Sequence, residues 1–225
     1  VQADAASRRG LTQALGRMEG FGMSAIENFV QRLSNQPVLE CVTNPYLKPD
    51  IAKTLHAYLS LLLTFPYSGH LLVGEAPGYK GCTQCGVPFT SQRVINEHTH
   101  PFLVKLRSLV TVNGNATEST ATKVWNQLEG KSSVPAFWNT FPFHPYQPGD
   151  PTKNRRPSQA ETAIGMTYLD EVVQILEPHT IVAVGSISAT LLQNRYPSIK
   201  FRTFSHPSRR GYPGFVSGFS ALQLT

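Results

Sequence analysis

LLVGEAPGYKGCTQCGVPF, residues 71–89, decides how the chain is read. Leu71-Leu72-Val73 is a short apolar run bounded by Gly69 and Gly74, the pattern of a strand covered on both faces in a parallel sheet. Pro77, Gly78, Gly81 and Gly86 then forbid any regular element for about a dozen residues. Their small side chains let backbone N–H groups approach a ligand closely. Glu75 stands at the end of the strand. Taken alone it reads equally well as a solvated acid at the mouth of an ordinary loop, because a Gly-rich loop is a weak signal by itself.

Further strands are expected at 134–139, 180–185 and 199–204, beside the first at 70–74. Helical patterns at 97–111, 119–129, 158–176 and 186–194 separate them, the third opened by the capping box Ser158-Gln159-Ala160-Glu161. Strands alternating with helices predict an α/β fold, a three-layer α/β/α sandwich around a central, mainly parallel four-stranded sheet. Upstream, Ser24-Ala25-Ile26-Glu27 has capping-box spacing ahead of an apolar face of Ile26, Phe29, Val30 and Leu33. Asp50 is expected to cap a second helix carrying Leu55, Leu59 and Leu62. Residues 141–157, with prolines at 142, 145, 148 and 151, read as a long exposed loop rather than a linker. One domain over residues 1–225 is expected, with residues 1–66 as its helical N-terminal part.

Lys and Arg outnumber Asp and Glu by 20 to 14, a net charge of +6 that suits a polyanionic partner without proving one. An odd count of three cysteines argues against a disulfide framework and for a reducing compartment. After Arg8-Arg9 the sequence is broken by Arg17, Glu19 and Glu27 before any apolar core forms, so no secretory leader is expected. The longest mostly apolar stretch, residues 57–65, is far too short to span a bilayer. The expected setting is the cytoplasm of a bacterium or the nucleus of a eukaryote.

Ligands of open parallel sheets bind beyond the carboxyl ends of the strands. Three polar groups fall there: Glu75 after the first strand, Asn139 ending the second, and Ser205-His206-Pro207-Ser208 after the last. Singly, Asn139 is more often a turn or cap residue, His206 a hydrogen-bonded structural histidine and Phe89 core. Their placement after separate strands favours one shared pocket.

Together these motifs resemble the uracil-DNA glycosylase superfamily. Gly74-Glu75-Ala76-Pro77-Gly78 matches the first motif of its thermophilic, iron-sulfur-containing branch, whereas Gln84-Cys85-Gly86-Val87-Pro88-Phe89 is closer to the single-strand-selective branch. His206-Pro207-Ser208 matches the second motif, and Asn154-Arg155-Arg156-Pro157 with Glu161 again resembles the iron-sulfur branch. The resemblance covers roughly residues 68–210. It implies a monofunctional enzyme acting as a monomer on DNA that contains a damaged or deaminated base, in base excision repair. Glu75 would stabilise the sugar cation and orient water, and His206 would donate to the developing negative charge on uracil O2. Phe89 would stack on the flipped base, Asn139 would pair with its Watson–Crick edge, and backbone of Ala76 and Gly78 would complete the pocket. Ser205, Ser208, Pro207 and Pro77 would meet the DNA backbone, with Arg209 and Arg210 adding charge, although a pair of solvated arginines is an equal reading of the last two.

The departures matter as much. The iron-sulfur branch uses four cysteines, but Cys41 has no nearby partner, the Phe143-His144 region lacks a thiol and Gly165 occupies the approximate place of the last ligand. No cluster is expected. Cys82 and Cys85 form a Cys-x-x-Cys in the wrong place for one, and His98, His100 and His144 fit no zinc spacing, so neither metal nor cofactor is expected. Gly78 stands where well-known relatives place a tyrosine against the thymine methyl, implying tolerance of 5-substituted uracils or mismatched bases. The motifs carry no Schiff-base lysine, and the segment after His206 offers no second histidine to trap the sugar, so simple hydrolysis is expected. Two other readings stand beside it: a catalytically weak module binding flipped bases or single-stranded DNA, and a hydrolase of free nucleosides or nucleotides. Glu75 and His206 together favour catalysis, and the basic balance favours polymeric DNA.

Overall fold

The computed structural model describes residues 23–37, 39–199 and 201–225. The readings placed on residues 1–22 lie outside them. Four strands, β2 (Tyr67–Gly74), β3 (Val134–Asn139), β6 (Thr180–Val184) and β7 (Arg202–Phe204), form one sheet in the order β3-β2-β6-β7, with every neighbouring pair parallel. Among the described residues no helix is long and apolar enough to cross a membrane.

β3 shows how both faces are covered. All six of its residues are buried, and its period of two sends consecutive side chains to opposite faces. Phe137 packs on Trp125 and Phe89, whereas Trp138 packs on Phe29. Trp125 belongs to α6 (Ser119–Asn126), and Phe29 to α1, residues 23–34. On the outer edge of β3 the Phe137 N–H donates to the Tyr58 hydroxyl at 2.7 Å, so α2 (Pro49–Thr64) closes a strand that would otherwise expose its backbone.

Several local expectations are corrected. Met23 and Ser24 are both helical, so Ser24 lies inside α1 rather than capping it. Pro49 takes the first position of α2, where its missing N–H costs nothing, and Asp50 follows inside the first turn with Lys48 as the cap. The helix expected over 97–111 is two, α4 (Gln92–Glu97) and α5 (Pro101–Leu109), because Pro101 drives His100 out of helical backbone. The Gly-rich loop contains a one-turn helix, α3 (Cys82–Cys85), ended by Gly86 at φ +80°. β7 starts at Arg202, later than expected; Lys200 lies outside the described residues.

The largest correction concerns residues 141–157. Instead of an exposed loop they form a hairpin, β4 (His144–Gln147) and β5 (Asp150–Asn154), which pairs with β1 (Val42–Thr43) in a second, antiparallel sheet. Phe141, Phe143 and His144 are buried. Arg155 locks this sheet to α7 (Gln159–Leu176): its guanidinium makes a forked pair with Glu161 at 2.6 and 2.7 Å and also donates to the carbonyls of Tyr146 and Cys41. Glu161 simultaneously completes the capping box with Ser158, as the sequence spacing predicts.

Arg155→Met is expected to lower unfolding free energy by about 2 kcal/mol, since it strands a largely buried carboxylate and the carbonyls of Tyr146 and Cys41. The pair holds the Glu161 carboxyl below its ordinary 4.5, first through the Arg155 hydrogen bonds. Its stabilisation is therefore present above that value and lost as pH falls through the depressed one. Denaturant melts of both proteins should converge in that acid range; a constant gap down to low pH would refute the assignment.

Candidate active site

The carboxyl ends of the sheet strands are level. Gly74 lies opposite Asn139, and Val184 opposite Phe204, so the residues that follow them emerge together. They surround a cavity of about 320 Å³. Glu75, Ala76, Pro77, Gly78, Phe89, Asn139 and His206 all line it. Ser205, Pro207, Ser208, Arg209 and Arg210 do not. Both arginines are exposed, Pro207 is buried, and Ser205 packs against α9 (Tyr212–Ser220), with Oγ 2.6 Å from the place a Gly214 Cβ would take.

Glu75 is fixed through its backbone. Its carbonyl accepts from Phe141 N–H at 3.0 Å and from the Thr140 hydroxyl at 2.8 Å, which ties it to the chain leaving β3. The next turn is held by His144, whose two ring nitrogens face the carbonyls of Pro77 and Pro151 at 3.0 Å each. Partial burial raises the Glu75 carboxyl above its ordinary value, with the Arg156 charge acting in the opposite direction.

Phe89 and Asn139 face each other across Gly74. A Cβ on Gly74 would stand 2.6 Å from the Phe89 ring and 2.7 Å from Asn139 Oδ1, so only glycine leaves room for both. Phe89 is held at φ +53°, a left-handed backbone that costs an aromatic residue on the order of 1 kcal/mol or more. Asn139 is buried, and its carboxamide makes none of the protein hydrogen bonds found among the described residues. Its donors and acceptor are left to whatever enters the cavity.

His206 is exposed along one edge, yet the protein around its ring lowers its pKa, first by desolvation and then through Lys123. Lys123 reaches from α6 to donate to the Pro207 carbonyl at 3.1 Å and lies 5.1 Å from the centre of the Tyr212 ring. Lys123→Met should therefore raise the His206 pKa, as read by imidazole NMR titration. A value unmoved or lower would refute the coupling.

Sequence reasoning missed several lining groups. The Gly185-Ser186 turn, with Gly185 at φ +96°, opens α8 (Ser186–Arg195) into the cavity. It follows a strand as the other motifs do, so the same strand-end rule would have found it. Asn154 was quoted within its motif but given no role; its Oδ1 accepts from Tyr79 N–H at 3.2 Å and its Nδ2 lies 3.4 Å from a Gly78 Cβ position. Glu118 and Thr120, ahead of and inside α6, carry no sequence signal.

Residues 66–216 match the profile of the Uracil DNA glycosylase superfamily, two thirds of the chain. The chain belongs to that superfamily. Among solved structures it is similar to wild-type Pedobacter heparinus SMUG2, at a TM-score of 0.62 and 14% identity, covering 88% of this chain and 97% of that one. That likeness shows a shared fold. No curated protein matches the chain.

A cluster like that of the superfamily's iron-sulfur branch does not fit the residues present. At Gly165 a Cβ would stand 2.2 Å from the Thr140 carbonyl oxygen, leaving no room for a cysteine, and His144 is committed to two carbonyls. Among the described residues no three His, Cys, Asp or Glu side chains are placed to hold a metal. Cys82 and Cys85 are buried free thiols, Cys85 pushed up to about 12 by burial, which makes them poor thiolates.

Proposed function

We propose that this protein is a monofunctional DNA glycosylase that hydrolyses the N-glycosidic bond of uracil in DNA and tolerates substitution at C5. One observation carries the reading: a buried carboxamide with unspent hydrogen bonds, Asn139, faces an aromatic ring, Phe89, in a cavity edged by a carboxyl and an imidazole. An amide offers a donor to uracil O4 and an acceptor to N3–H, whereas cytosine presents the reverse order. Discrimination against cytosine follows from that pairing. Phe89 stacks on the extruded base.

Bond cleavage leaves a pyrimidine anion and an oxocarbenium-like sugar. Glu75, ionised, stabilises the cation and orients the attacking water. His206 donates a hydrogen bond to O2 as negative charge grows there, and its lowered pKa supplies a neutral donor at pH 7. The exposed Arg209 and Arg210, with Ser208, meet backbone phosphates outside the cavity.

The test is incubation with single- and double-stranded oligonucleotides containing one uracil, followed by alkali to reveal abasic sites. Strand breaks at the uracil position are expected. Binding without breaks would select a non-catalytic base-binding module, and release of base from free nucleosides alone would select a nucleoside hydrolase.

A further inference from the structure

The cavity holds a second acid that bond cleavage leaves unused. Glu118 immediately precedes α6, and its side chain enters against the Gly-rich loop, with Oε2 2.5 Å from the place a Gly81 Cβ would occupy. Glycine at 81 is what admits the carboxyl to that depth. Among the described residues no Lys, Arg or His lies within ion-pair distance of it. Burial raises its pKa, opposed by the Thr120 hydroxyl and the Ala121 N–H. A half-buried acceptor with no cation beside it gains from a donor that a ligand brings.

Where that donor would sit follows from the base-binding reading above, on which this inference rests. Asn139 takes the Watson–Crick edge, His206 takes O2, Phe89 takes a ring face, and Glu75 lies toward the sugar. The edge left over is C5–C6. The remaining lining residues divide between the Gly185 turn with Asn154 and Arg155 on one side and Gly78, Cys82, Glu118 and Thr120, beside the loop that carries Phe89, on the other; the latter group is taken as the C5 wall. Gly78 puts no side chain there, and Cys82 adds only a thiol that burial keeps protonated.

We propose that Glu118 sorts 5-substituted uracils by hydrogen-bond polarity, accepting a substituent that donates, as in 5-hydroxymethyluracil, over one that only accepts, as in 5-formyluracil. A hydroxymethyl O–H donates to the carboxylate. A formyl oxygen instead faces it lone pair to lone pair, and a 5-carboxylate adds like charge.

The experiment compares kcat/KM for oligonucleotides carrying 5-hydroxymethyluracil, 5-formyluracil or uracil, in the intact protein and in Glu118→Gln. The intact protein should favour hydroxymethyl over formyl by ~10-fold or more. Glu118→Gln, whose amide both donates and accepts, should bring that ratio to within about threefold of unity. A ratio near one in the intact protein, or the same ratio in both proteins, overturns the role of Glu118. Calorimetric binding of the free bases supplies a readout apart from catalysis. If the intact protein excises nothing, the glycosylase reading fails on its own. The affinity ratio then decides Glu118: a preference for free 5-hydroxymethyluracil that disappears in Glu118→Gln supports it, and equal affinities refute it.

Discussion

Glu75→Gln is expected to cut uracil excision ~100-fold or more, about 2.7 kcal/mol of transition-state stabilisation, without loss of folding stability. The rate half follows from the proposed role of Glu75, and the stability half from one observation. Burial of the Glu75 carboxyl raises its pKa, so ionising it in the folded protein is unfavourable relative to the unfolded chain. The sign is then fixed: a raised carboxyl contributes stability below its unfolded pKa and loses it as pH rises through the folded value. At pH 7 the charged group is a cost that glutamine removes. The variant should melt at or above the temperature of the parent while losing the rate, the pattern of a group kept for chemistry at the expense of stability. The acid limb of the rate profile, where Glu75 protonates, should vanish from the residual activity of the variant. His206→Ala should lose a comparable factor, because in the proposed mechanism its ring donates to the developing charge. Undiminished excision in both variants would sink the mechanism, and a large drop in melting temperature for Glu75→Gln would show a structural role instead.

How far the chain could be read from sequence depends on the range of the interactions involved. Glu75, Asn139 and His206 were legible because each stands at the carboxyl end of a segment that reads locally as a strand, the first of them an apolar run between Gly69 and Gly74, and a parallel sheet levels such ends. The same logic extends to Gly185, which follows β6. The hairpin at 144–154 was illegible for a different reason: its prolines look like loop residues. Yet the ladder around Pro145 is carried by its neighbours, Tyr146 N–H to the Cys41 carbonyl and Arg155 N–H to the Pro145 carbonyl. Its partner strand is two residues long and lies about a hundred positions earlier. Nothing local announces such a pairing. Glu118 belongs to the same class, since only the fold carries the start of α6 to Gly81.

Gly165→Val is expected to cost about 3 kcal/mol and to cripple the site that α7 supports. A Cβ at Gly165 would lie 2.2 Å from the Thr140 carbonyl oxygen and 2.7 Å from Phe141 Cα, and both obstacles are backbone. No rotamer change relieves them; the helix or the 139–141 segment must move. That segment does three jobs at once: it ends β3 with Asn139, donates Thr140 N–H to the Gly74 carbonyl at 2.9 Å, and holds the Glu75 carbonyl through Phe141 and Thr140. Strain introduced on α7 is thus delivered to the Asn139 amide and the Glu75 carboxyl together, the groups proposed to pair the base and to stabilise the sugar cation. A displacement of about 1 Å at such groups costs on the order of 100-fold in rate. The protein that remains folded should therefore excise poorly, with the loss in kcat and KM both, unlike the pure rate loss of Glu75→Gln. Ala163→Val, exposed two positions earlier on the same helix, should change stability by no more than about 0.5 kcal/mol. Denaturant melts and excision kinetics of the two valine variants check the claim, and parental stability in Gly165→Val would show that α7 does not brace the site.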